Sequence, residues 1–137
     1  MNVETYLFFN GKCEEALTFY QKLLGIEVSM LMKYEESPDQ SLCPPNCGDK
    51  VMHANFRIGD TAFMASDGDC EGEPQFQGFS LSLNAESEEQ GQAIMQGLAE
   101  DGEIKMPLAP SFWGGLFGMV TDKYGMSWMV SVLEETE

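Results

Sequence analysis

The stretch WGGLFGMVTDKYGMSWMVSV, Trp113 to Val132, reads as a strand, a turn at Lys123-Tyr124-Gly125 and a second strand. Side chains alternate across a strand, so Trp128, Val130 and Val132 form one apolar side of the second arm. Ser127, Met129 and Ser131 are left on the other side, and the arm carries no charge. A strand that shows serine and methionine where an enzyme would place a carboxylate poses the question of what that side lines.

The same hairpin pattern occurs earlier, in KVMHANFRIGDTAFMASDG (50–68), turning at Gly59-Asp60. Its first arm puts Met52, Ala54, Phe56 and Ile58 on an apolar side and His53, Asn55 and Arg57 on the opposite one. Ahead of it, VETYLFF (3–9) has strand composition, and CEEALTFYQKLLG (13–25) is a helix with Glu14 and Glu15 in its first turn and Gly25 as its stop. IEVSMLMKY (26–34) is a strand that runs out into a loop over 35–49. The second half repeats this order. GFSLSL (78–83) is a strand with Leu81 and Leu83 inward and Ser80, Ser82 and Asn84 opposite; ESEEQGQAIMQGLAEDG (86–102) is a helix opening at Ser87; EIKMPL (103–108) is a short strand limited by Pro107. Strand, helix and three strands thus occur twice, offset by about 75 residues. The expected fold is α+β: two βαβββ modules, about 1–70 and 76–137, forming cupped mixed sheets within a single domain over 1–137. Each sheet has one helix-covered apolar side and one mixed side, and a cup so lined suits a small organic ligand.

Composition narrows the partners. The 137 residues hold 7 Lys and Arg against 23 Asp and Glu, a formal net charge of −16. Such a surface repels phosphate backbones and anionic headgroups, so neither nucleic acid nor a membrane is expected as a partner. No apolar run reaches the roughly 18 residues that a membrane span needs. The start, MNVETYLFFNGKCEEA, lacks a basic region and a small-residue cleavage site, which argues for a cytoplasmic protein. Four cysteines, Cys13, Cys43, Cys47 and Cys70, are then expected as free thiols. Cys43, Cys47 and Cys70 with His53 make an improvised Cys3His set whose spacing matches no established zinc pattern.

YLFFNGKCEEALTFYQKLLG, KVMHANFRIGDTAFMASD and WGGLFGMVTDKYGMSW resemble the PhnB-like branch of the vicinal oxygen chelate superfamily, together with glyoxalase I, extradiol dioxygenases and bleomycin-resistance proteins. The resemblance covers nearly the whole chain. Its most specific element is W-G-x3-G-x3-D-x-Y-G-x2-W, filled by Trp113, Gly114, Gly118, Asp122, Tyr124, Gly125 and Trp128. It implies paired βαβββ modules and a homodimer. In metalloenzymes of the superfamily the ligands are His, Glu and other carboxylates on the first, fourth, fifth and last strands. Carried over by strand register, those positions fall on Thr5, on Met64 (or Ser66 after a slip of two), on Ser80 and on Met129. A divalent ion of hard or borderline character wants imidazole or anionic oxygen, not thioether and hydroxyl. The chain is therefore expected to hold no metal and no cofactor.

His53, the only histidine, is either a general base or a hydrogen-bonded sheet residue. Arg57, the only arginine, either clamps an anion or forms an internal ion pair, and Asn55 between them offers amide donors. Trp113, with Phe112 and Phe117, either walls a pocket as an aromatic lid or contacts a second copy. Asp60, Asp67 and Asp69 are placed as turn acids. The expected lining of the cup is His53, Asn55, Arg57, Met64, Ser80, Trp113 and Met129, around an unidentified small molecule that is sequestered or sensed. The alternative is a lyase, isomerase or oxygenase of the same superfamily, working through His53 or a rearranged metal site.

Overall fold

The computed structural model describes residues 1–133, and these fall into two units, Met1–Pro74 and a second from Gln75 onward. In the first, β1 (Thr5–Phe8), α1 (Cys13–Leu24), β2 (Glu27–Lys33), β3 (Val51–Ile58) and β4 (Thr61–Ser66) follow in order. In the second, β5 (Leu81–Ala85), α2 (Glu88–Leu98), β6 (Glu103–Pro110), β7 (Leu116–Thr121) and β8 (Ser127–Val132) repeat it. The sheets run β1-β4-β3-β2 and β5-β8-β7-β6, each with one parallel pair, β1 with β4 and β5 with β8. Each module is thus a mixed four-stranded sheet with one helix, as the repeat predicts. Two boundaries differ. β5 begins at Leu81, so Ser80 lies just before it, and β6 continues past Pro107 to Pro110 because it is an edge strand, where a missing amide costs little.

Alternation places most of the apolar sides, though in β3 Met52 and Ile58 are only half-buried and Val51, in the opposite phase, is fully buried. Ala54 and Phe56 of β3, Phe63 and Ala65 of β4 and Leu7 of β1 are buried, as are Ala16, Leu17 and Tyr20 of α1. The Phe56 and Phe63 rings stack with centroids 5.2 Å apart. In the second unit Trp128, Val130 and Val132 of β8 and Val120 of β7 are buried with Ile94, Met95 and Leu98 of α2. Leu81 and Leu83 are only half-buried. A Cβ on Gly91 would sit 2.8 Å from Val132 Cγ2, and one on Gly118 would sit 3.0 Å from both the Leu108 amide nitrogen and Met95 Cε. These glycines let α2 and β6 close on the sheet.

Two buried carboxylates hold the connections. Lys12 caps α1 without a side-chain bond. Asp67, placed by the sequence among turn acids, is 1% exposed and does that work from the end of β4. Its Oδ1 accepts the Gly11 and Cys13 amides at 2.7 and 2.8 Å, and its Oδ2 accepts the Val51 amide at 2.8 Å. In the second unit Asp122 accepts the Tyr124 and Met126 amides on Oδ1 and the Trp128 indole N–H, at 2.8 Å, on Oδ2. The spaced Asp, Gly and Trp of the family signature are therefore one turn held on one carboxylate.

The expectation of four free thiols is corrected. Cys47 and Cys70 form a disulfide, while Cys13 and Cys43 are free. The loop after β2 folds back, with the Glu35 amide on Gly48 O and the Lys50 amide on Cys47 O, and the Tyr34 hydroxyl reaches Gly68 O, so Cys47 meets the turn that carries Cys70. That pairing also dissolves the Cys3His set, since two of its thiols are spent. Burial, reinforced by the nearby Asp67 and Glu14 carboxylates, pushes the Cys13 thiol up out of the reactive range.

Two outcomes follow from this packing. Asp67→Ala leaves three amides unpartnered, two of them buried, and lowers stability by about 3 kcal/mol or more, read as a fall in the urea midpoint by circular dichroism. A maleimide added to the native, unreduced chain labels Cys43 once by mass; Cys13 adds a second label only after denaturation.

Candidate functional site

Cross-strand partners share a side of the sheet, so the register fixes what the side away from α1 displays. Tyr6 pairs with Met64, Met64 with Asn55 and Asn55 with Met30, a row across all four strands of the first sheet. Met32 pairs with His53 beside it. The register of β2 shifts between Val28 and Met30, which leaves Ser29 over and brings Met30 and Met32 to this side. Thr5, which sequence register assigned to this side, instead pairs with Phe63 on the helix side, and its place is taken by Tyr6. The parallel pairing of β1 with β4, invisible to alternation within β1, decides this.

Tyr6 is the residue that sequence reasoning missed, and it completes a hydrogen-bonded chain. Its hydroxyl lies 2.8 Å from His53 Nδ1, and His53 Nε2 lies 2.9 Å from Asn55 Oδ1. Asn55 Oδ1 can only accept, so Nε2 carries the hydrogen. In the neutral ring Nδ1 is then the acceptor, and the Tyr6 hydroxyl donates to it. The Phe8, Tyr6 and His53 rings form a continuous strip, with centroids 5.1 and 5.5 Å apart. Tyr6 is 37% exposed and Phe8 52%. Met30, Met32 and Met64 flank the strip, and their flexible, polarizable thioethers adapt to an apolar or aromatic surface.

Arg57 shares this side at the far end of β3 but turns to the hairpin, with Nη2 3.9 Å from Asp60 Oδ1 and 3.4 Å from Asp60 O. Half-exposed and loosely paired, that contact contributes little. It places Arg57 with its turn rather than with His53.

In the second sheet the corresponding row is Ser82, Met129, Met119 and Met106. Met129 therefore occupies the place that Met64 holds in the first sheet. Ser80 lies one position outside β5, and its hydroxyl is 2.7 Å from that of Ser127. Trp113 packs edge-on against Phe112 and Phe117, at 4.7 and 5.3 Å, and stays 59% exposed; Phe117 pairs with Ser131 beside the methionine row. A cleft of about 510 Å³ opens elsewhere in this unit, lined by Glu86, Glu88, Ser111, Leu116, Val132 and Leu133 among others. It sits at the start of α2, which Ser87 caps through the Gln90 amide, and none of the seven residues expected to line the cup lines this cleft.

The two rows, with His53 beside the first, offer one imidazole, one phenol, thioethers, an amide and a hydroxyl, and a single imidazole without a carboxylate does not fit a divalent ion of hard or borderline character. Among the described residues no three His, Cys, Asp or Glu side chains converge as a metal site.

The fold is that of a class of small proteins with repeated strand–helix–strand modules. A solved glyoxalase-related enzyme from Fulvimarina pelagi shares it, with a TM-score of 0.63 at 17% identity over 96% of this chain and 88% of that one. Two nearer solved structures sharpen the likeness. One, from Pseudomonas aeruginosa, is 37% identical with a TM-score of 0.85, covering 98% of this chain and 99% of that one. The PhnB protein of Bacillus cereus, named for 3-demethylubiquinone-9 3-methyltransferase, is 33% identical with a TM-score of 0.81, covering 96% and 99%. Protein YjdN of Escherichia coli (strain K12) is 34% identical over 98% of this chain and 97% of its own. Residues 1–131 match the family model for 3-demethylubiquinone-9 3-methyltransferase, and the chain belongs to this PhnB-like family.

The hydrogen-bond chain has a spectroscopic signature. Imidazole nitrogen shifts are expected to place the His53 proton on Nε2 in the native chain, and Tyr6→Phe, which removes the donor to Nδ1, is expected to redistribute it between the two nitrogens.

Proposed function

We propose that this PhnB-like protein binds a small organic molecule on the open side of its first sheet, for sequestration or sensing, without a metal. The observation that carries this reading is the Tyr6–His53–Asn55 chain set among exposed aromatic and methionine side chains. A built polar group within an adaptable apolar surface is what a small-molecule site requires. The donor set supports the metal-free part of the reading, because one imidazole among thioethers, hydroxyls and an amide is too few strong ligands to hold a Lewis acid. Membership of the vicinal oxygen chelate superfamily, action as a homodimer and residence in the cytoplasm belong to the same proposal. Met129, Ser80 and Trp113 are proposed as a second lining set on the second sheet.

The name of the family model points to methyl transfer, and the first unit supports that less well. Donors of methyl groups in nucleotide-type sites are held at an open helix N-terminus after a strand. Here the β1–α1 connection is Phe9-Asn10-Gly11-Lys12, and the Asp67 carboxylate already occupies the amides of Gly11 and Cys13. A second reading, acid–base catalysis in a lyase or isomerase, draws on one specific contact. A tyrosine hydroxyl donating to a histidine nitrogen is a ready proton path from a bound molecule to a base.

A small-molecule thermal-shift screen on the dialysed protein tests the leading reading, paired with metal analysis. Expected are hits that raise the melting temperature of the native chain and lose that effect in His53→Ala, with no stoichiometric transition metal. Stoichiometric metal in the dialysed protein, or hits indifferent to His53→Ala, would count against it.

A further inference from the structure

The hydrogen-bond directions in the Tyr6–His53–Asn55 chain specify more than the presence of a ligand. We infer that the first sheet selects a neutral aromatic molecule carrying a hydrogen-bond donor at one end of its ring and an acceptor at the other. This rests on the reading that the open side of the first sheet is the binding site.

The polar ends are set by what is already committed. The Tyr6 proton goes to His53 Nδ1, so the phenol oxygen presents lone pairs to a ligand and accepts. Asn55 Oδ1 is taken by the His53 Nε2 hydrogen, so the side chain has its two amide hydrogens left to give. The Tyr6 oxygen and the Asn55 carboxamide thus stand at the two ends of the imidazole, the phenol oxygen and Oδ1 separated by the width of that ring and its two hydrogen bonds. A six-membered ring substituted at opposite positions spans a comparable length. With a hydroxyl at one end and a carbonyl at the other, it meets Tyr6 Oη with its donor and Asn55 Nδ2 with its acceptor.

Shape and charge agree. The Phe8, Tyr6 and His53 rings make a strip on which a planar ring stacks, with Met30, Met32 and Met64 at its flanks. Among the described strand residues on this side of the first sheet, Arg57 is the only Lys or Arg. Arg57 lies four residues beyond His53, about 13 Å along the strand, and faces Asp60. The formal net charge of −16 adds a general repulsion.

Three matched probes test this on the full chain: 4-hydroxyacetophenone, its methyl ether 4-methoxyacetophenone, and the anion 4-hydroxybenzoate. Binding is read as NMR shifts of Tyr6, His53, Asn55 and the Met30, Met32 and Met64 methyl groups, with affinity from titration. The hydroxy ketone is expected to bind about tenfold more tightly than its ether, the value of one hydrogen bond of about 1.4 kcal/mol. It is expected to exceed the benzoate by more. Tyr6→Phe, which removes the acceptor and keeps the ring, should bring the ketone and its ether to equal affinity. Benzoate binding as tightly as the ketone, or a ketone-to-ether ratio unmoved by Tyr6→Phe, overturns the assigned class. When a screening hit shifts the same resonances in that case, the site survives and only the class falls. Shifts that bypass Tyr6, His53 and Asn55 for every probe and every screening hit overturn both.

Discussion

The first unit depends on one buried carboxylate. Asp67 gathers the amides of Gly11, Cys13 and Val51, and returns its own amide to Val51 O at 2.8 Å. The start of α1, the start of β3 and the end of β4 thereby meet at a single point. His53 is two residues beyond Val51, so the fix on β3 is also the fix on the imidazole. A charged acceptor inside a protein is tolerable only when its lone pairs are well supplied with donors, and here the backbone supplies them. In the second unit Asp122 works differently. It organises a local turn and reaches forward to the Trp128 indole, so its donors come from within six residues and not from three separate elements.

The repeated module explains how one scaffold carries two unlike surfaces. Tyr6 and Ser82 stand at equivalent places in the two sheets, as do Met64 and Met129, and Asn55 and Met119. The first row has a tyrosine, an asparagine and two methionines, whereas the second has a serine and three methionines. The buried helix-facing positions in both sheets are apolar, because the core admits little else. The difference between the two rows lies in the alternate residues that the core does not see.

Much of this was legible in the chain. Alternation in SWMVSV assigned the buried side of β8, and in VMHANFRI it found Ala54 and Phe56 but missed Val51, which is buried from the opposite phase; turn residues marked both hairpins. His53 and Asn55 were placed on a common side for the same reason. What failed was information that lives between elements. β1 is four residues long, too short for its own periodicity to choose between Thr5 and Tyr6; its parallel partner 58 positions on chooses. The Cys47–Cys70 bond depends on a loop folding back through backbone contacts that composition does not encode. Asp67 was read as a turn former because its distant partners are amides, which are present at nearly every position and so leave no mark in a sequence.

β1 is an edge strand whose one sheet neighbour is β4, while β3 lies in the interior of the same sheet. Tyr6 and His53 are thus contributed by the least and one of the best anchored strands, 47 residues apart in the chain. Any molecule held between Tyr6 and Asn55 ties the N-terminal segment to the sheet interior. Occupancy and strand docking are then thermodynamically linked, each strengthening the other by the same free energy.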